Sequence, residues 1–202
     1  MTSIPAAPIV VPLVIIGAVA LARVARRAGS PLSWARVTTI AAATLYAAAV
    51  VLLTVLPLQV QTGEYGNHAS WTGKLQLIPV LTIDVDTFAL NVIMMLPLGV
   101  LLPLVLGRIR WGRVVAVAFA VSLGIEVLQG VTNVVVSSGR AADVNDLIAN
   151  TAGAVLGFAL LELMVRSAGG AALVERFMLA PGRVPAEPGT LRNGTAPILI
   201  DP

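Results

Sequence analysis

An all-α, polytopic transmembrane bundle of about five spans is the fold this sequence predicts, and three observations predict it. Apolar residues make up 57% of the 202-residue chain and charged residues only 11%. Mean hydropathy is +0.93, a balance outside that of soluble domains. Five windows approach the roughly 20 apolar residues that cross a hydrocarbon core about 30 Å thick. Basic residues cluster beside alternate windows, as they do when short loops alternate between the two sides of a membrane.

The first window, near residues 8–22, lies in "MTSIPAAPIVVPLVIIGAVALARVARR". Its positive charge follows the apolar run, unlike a signal peptide, so it reads as a retained span. Pro5, Pro8 and Pro12 cluster near its start, where a helix tolerates missing backbone donors. Arg23, Arg26, Arg27 and Arg36 come next. The second window, 37–56, leads into the loop "LQVQTGEYGNHASWTGKLQLIPVLTIDVDT". Trp71 and "LIP" suit a membrane interface there, folding the loop back onto the bundle. The lone histidine, His68, has no second ligand at metal spacing.

The third window, 88–106, carries Pro97 and Pro103, which remove hydrogen bonds to carbonyls four residues earlier and predict a kink. Met94 and Met95 read as adaptable core filling. Arg108, Arg110 and Arg113 follow. The fourth window, 114–130, is short, and the fifth, 147–165, precedes Arg166, Arg176, Arg183 and Arg192. Only Lys74 and Arg140 are basic in the two opposite loops. The amino terminus is therefore expected outside and the carboxyl terminus in the cytoplasm, in a multi-pass protein of the cell membrane. Residues 1–166 form one transmembrane domain, and residues 167–202 a cytoplasmic tail, expected to be flexible. Within that tail, "AALVERFMLA" suits a short interfacial helix with Arg176 toward lipid head groups.

The sequence pI of about 10.2 thus reports topology. No arginine stretch is interleaved with aromatics as a nucleic-acid surface requires, so no nucleic-acid partner is expected. The chain has no cysteine, which excludes disulfides, thiolate metal sites and cysteine nucleophiles.

Depth organises the polar residues. The fourth span runs outward, which places Glu126 about 18 Å along it and Gln129 nearly a turn further. Ser122, Glu126 and Gln129 share one helical face. The fifth span starts outside, with Asp143 and Asp146 at its mouth and Asn150 about 6 Å deeper. Asn91 lies within about one turn of the start of the third span. Three helices thus carry polar groups to one outer depth. A charged group facing lipid there costs roughly 2.5–3.5 kcal/mol, so they are expected to face inward. The Gly153/Gly157 seam permits close helix approach on the face of Asp146 and Asn150. Arg140, just outside, supplies a counter-charge. The expected ligand-binding cluster is Asn91, Glu126, Gln129, Arg140, Asp143, Asp146 and Asn150.

Simpler roles exist for several of these. Asp143 is a good N-cap and Asp146 suits the first helical turn, while for Gln129 and Asn150 interhelical hydrogen-bond glue is the favoured reading. Glu126 lies too deep for a cap.

"LQLIPV", "NVIMMLPLG", "IEVLQ" and "GRAADVNDLIANTAGAVLG", in this order and spacing, resemble the signature of the VanZ-like family of small bacterial membrane proteins. The resemblance covers residues 45–161. It departs from the family pattern in "LQLIPV", where Gln76 and Val80 replace an Asn and an aromatic. The resemblance implies a role at the cell envelope, since the family's namesake is associated with low-level resistance to the glycopeptide teicoplanin.

Two readings stand. In the preferred one, a non-enzymatic envelope protein opens a polar cavity outward and binds an amphiphile among the membrane lipids, such as a lipid-linked peptidoglycan precursor or a lipoglycopeptide. Arg140 would meet its anionic oxygen. In the other, an intramembrane enzyme uses Glu126 as the catalytic general acid or base, with a divalent cation such as Mg²⁺ as a candidate cofactor at Asp143 and Asp146. No nucleophile, phosphate loop or histidine pair supports the second, and no repeat or broken helix pair supports a transporter.

The topology is tested with single cysteines placed in this cysteine-free chain. A membrane-impermeant reagent applied to intact cells should label position 68 and not position 110; the opposite pattern inverts the bundle.

Overall fold

The computed structural model describes residues 2–29, 31–56, 58–60, 75–76, 78–79, 84–136 and 142–180. Five long helices span α1 (Ala7–Arg27), α2 (Trp34–Thr54), α3 (Val85–Leu106), α4 (Trp111–Val136) and α5 (Val144–Met164), with a short α6 (Ala168–Phe177) after them. All five long helices are long and apolar enough to cross a membrane. The protein is an all-α, multi-pass membrane protein. The predicted windows match these helices one for one, but α4 continues past residue 130 to Val136 because Gly130 does not interrupt its periodic burial. α3 stays a single helix through Pro97 and Pro103. At its start Asp84 and Asp86 complement the helix dipole. The Thr87 hydroxyl donates to Asp84 and holds that exposed carboxyl below its ordinary value.

Two short ladders tie connecting segments together. β1 (Thr2–Ile4) pairs antiparallel with β2 (Leu58–Val60), and β3 (Leu75–Gln76) pairs parallel with β4 (Ala142–Asp143). Leu75 and Gln76 therefore lie beside the start of α5.

Contacts give the helix directions. Ala25 packs near Ile40 and Gly17 faces Thr44, so α1 and α2 are antiparallel. Trp111 stands edge-on to Phe158 with ring centroids 4.7 Å apart, while the Ser122 hydroxyl donates to the Leu147 carbonyl at 3.5 Å. α4 and α5 are thus antiparallel as well. The most extensive pairing joins α3 and α5, which run parallel. Gly153 sits on the Val92 backbone, Gly157 on the Leu96 backbone, and Gly99 on the backbone of Ala154 and Phe158. Any side chain at these three sites would meet main chain, which cannot yield as a flexible side chain does.

Every described arginine lies at one end of the bundle, hereafter the arginine-bearing end. The segment after α5 is docked there. Val174 and Met178 pack on Leu161, Val100 and Leu104. The Leu179 amide donates to the Leu104 carbonyl at 2.7 Å, satisfying a carbonyl that the last turn of α3 leaves open. From α2, Arg36 Nε donates to the Met178 carbonyl at 3.0 Å and Thr39 Oγ1 to the Phe177 carbonyl at 2.8 Å. Gly107 closes α3 with φ +81°, its Cα against the Ala180 carbonyl, a conformation and an approach that suit glycine alone. Residues 181–202, including Arg183 and Arg192, lie outside the described residues.

The glycine seam is tested by adding one methyl. Gly157→Ala should lower thermal stability by about 1–3 kcal/mol through overpacking. Gly124→Ala, which meets nothing within 4 Å, should be neutral or stabilising; equal melting of the two variants would show that the seam tolerates a Cβ.

Candidate functional site

α4 presents a single buried stripe whose chemistry changes along its length. Val114, Ala118, Ser122, Glu126, Gln129 and Asn133 are all buried, at steps of three or four residues that hold one face. The half nearer the arginine-bearing end is apolar and the far half polar. At that far end α4 meets the start of α5, the start of α3 and the end of α2, and the polar side chains gather there.

The start of α5 is built by two carboxylates. Asp143 is its N-cap, accepting from the Asn145 amide at 2.8 Å. The Asp143 amide in turn donates to Glu126 Oε2 at 2.9 Å. Glu126, only 5% exposed, thus holds the segment that enters α5 by one of its oxygens. Asp143 and Asp146 both lie within electrostatic range of it. Three carboxylates this close repel one another unless a positive group or a proton joins them.

From the third span, the Asn91 side chain is hydrogen-bonded to Asp146. Gln129 turns toward α2, where its Nε2 donates to the Thr54 carbonyl at 2.9 Å, an interhelical bond of the glue type. Asn150, one turn below Asp146 on the same face, is 2% exposed. Its Oδ1 has no hydrogen-bond partner. An unpaired buried acceptor costs about 1–3 kcal/mol, and α5 carries that cost beside the glycine seam.

Six of the seven expected cluster residues, Asn91, Glu126, Gln129, Asp143, Asp146 and Asn150, therefore stand at one end of the bundle. Arg140 lies outside the described residues, as do His68 and Trp71. Three participants were missed by sequence reasoning. Asn133 and Asn145 are both buried, and the Thr54 carbonyl receives Gln129. Asn133 had a signal, being four residues beyond Gln129 on the Ser122 face. Asn145 lies off the face of Asp146 and Asn150, and a backbone acceptor such as Thr54 leaves no mark in sequence.

Among the described residues no group of three or more His, Asp or Glu side chains is placed to hold a metal ion. What the arrangement offers is hydrogen bonding: carboxylate and amide oxygens, half-buried at the mouth of α5 and fully buried one turn below.

A family model described as VanZ/LLP1 matches residues 43–165, well over half of the chain and the whole of α3, α4 and α5. No curated protein and no solved structure matches.

The Glu126 bond separates charge from anchoring. Glu126→Gln keeps an oxygen that can accept from the Asp143 amide, so its melting temperature should stay near that of the wild type. Glu126→Leu leaves that amide unpaired and should cost about 1–3 kcal/mol. Equal melting of the Leu and Gln variants would mean that the bond does not anchor α5.

Proposed function

The chain belongs to the VanZ/LLP1 family, and from that premise we propose that it is a non-enzymatic protein of the bacterial cell envelope. Its polar end, facing outward, opens as a cavity that binds an amphiphile. The observation that carries this reading is Asn150, a buried acceptor without a protein partner, beneath a mouth lined by Asp146 and Asn91. A side chain kept only for packing has no reason to leave its oxygen unpaired.

The ligand class follows from position and chemistry. A ligand of the outer end enters from the lipid–water boundary, so it carries an acyl or polyprenyl tail and a polar head. A lipid-linked peptidoglycan precursor and a lipoglycopeptide both have this form. Arg140, in the loop before α5, is the residue suited to an anionic oxygen of such a head. Glycopeptides act on the same side, and a contribution to teicoplanin resistance belongs to this proposal. The bond from the Asp143 amide commits one Glu126 oxygen to the scaffold, which favours recognition over acid–base catalysis by that residue.

Native mass spectrometry of protein extracted gently from its own membrane tests the reading. A co-purifying amphiphile is expected, and Asp146→Asn should lower its occupancy per folded molecule by about tenfold, the scale of a charge-assisted hydrogen bond. Asp143→Asn should lower it less, because Asn caps a helix nearly as well. No co-purifying molecule, or occupancy unchanged in both variants, would place any site elsewhere.

A further inference from the structure

The chemistry of the ligand's head can be taken further from Asn150 and the groups around it. We infer that Asn150 is a recognition residue and that the head group it recognises donates a hydrogen bond, through a hydroxyl or a primary ammonium. This rests on the binding reading above and adds to it the chemical class of the ligand.

A carboxamide oxygen can only accept. Asn150 Oδ1 is buried without a partner, so whatever completes it must bring an N–H or O–H. A phosphodiester, an ester carbonyl and a quaternary ammonium cannot. The surroundings have the same polarity. Asp146 stands one turn above on the same face, and Glu126 and Asp143 lie within electrostatic range of each other at the mouth. Two amides that could have donated to a ligand are engaged within the protein, Asn91 on Asp146 and Gln129 on the Thr54 carbonyl. Acceptors thus dominate the approach from the mouth to Asn150.

Below Asn150 the bundle is closed. One turn below Asn150, Gly153 lies directly on the Val92 backbone, which closes the α3–α5 interface to anything larger than a hydrogen atom. A donor that completes Asn150 therefore comes from the Asp146 side, one helical turn above.

An orphan acceptor also has a signature that a packing residue does not share. Replacing Asn150 by Leu removes the unpaired oxygen and should leave the ligand-free protein as stable as the wild type or more so, while abolishing head-group selection. An amide that held helices together would show the reverse.

The full chain in phosphatidylcholine nanodiscs containing equal minor fractions of phosphatidylethanolamine and a glucosyl diacylglycerol provides the test, with retained lipid counted by native mass spectrometry. Wild type should retain one of the two donor head groups over phosphatidylcholine by about tenfold. The ethanolamine lipid identifies the ammonium and the glucosyl lipid the hydroxyl. Asn150→Leu should retain all three alike and melt no lower than wild type. Retention of all three by wild type without preference, or of none, overturns the inference and leaves standing the binding reading, which co-purification from the native membrane tests separately. A wild-type preference that survives Asn150→Leu, or a Leu variant that unfolds, also overturns the inference.

Discussion

The bundle depends on one constraint, the approach of the α3 and α5 backbones across glycine. Between helices in lipid there is no hydrophobic gain, because the tails are as apolar as the side chains, so association rests on close packing. Gly99, Gly153 and Gly157 supply it by letting main chain touch main chain. This contact fixes the rotation of α5, and the face that carries the seam also carries Asp146 and Asn150. Their inward orientation, and the meeting of Asp146 with Asn91, follow from the glycines. The polar cluster is a by-product of where three side chains are missing.

The buried stripe of α4 shows how that geometry is made tolerable. A carboxylate in a span is expensive, and Glu126 is nearly fully buried. It is placed where α4 passes the entry of α5, a point at which a free backbone amide is available. Gln129 finds a main-chain carbonyl in the same way. Glu126, Gln129, Asp143 and Asp146 are thus partly occupied by partners within the protein, while Asn150 Oδ1 has none. A polar cluster that looks uniform in the sequence divides into members bonded within the bundle and one buried acceptor that is not.

Much of this was legible beforehand. Span positions followed from apolar length, and the shared face of Ser122, Glu126 and Gln129 followed from helical spacing. The Gly153/Gly157 pair signalled a seam, and Asp143 an N-cap. Gly99 was not read as the reciprocal partner, since one small residue beside Pro97 looks like part of a kink. α4 was drawn too short because Thr132 and Asn133 lowered the apolar count at its end, which hid Asn133. The docking of Phe177 to Leu179 on α2 and α3 was illegible for a different reason. It runs through backbone carbonyls and amides, which every residue possesses and no residue type announces.

The parallel pairing of α3 with α5 also sets an order in time. The two helices that grip each other most closely are separated by a full span, and the residues that must touch, Val92 and Gly153, are about 60 positions apart, several seconds of synthesis at ~5–20 residues per second. During that interval α3 lies in the bilayer with its glycine facing lipid and Asn91 still without Asp146. α4 enters meanwhile with a carboxylate whose amide partner has not yet been made. The arrival of α5 completes both at once, so the newborn protein passes from four helices without that seam to a closed bundle in a single late event.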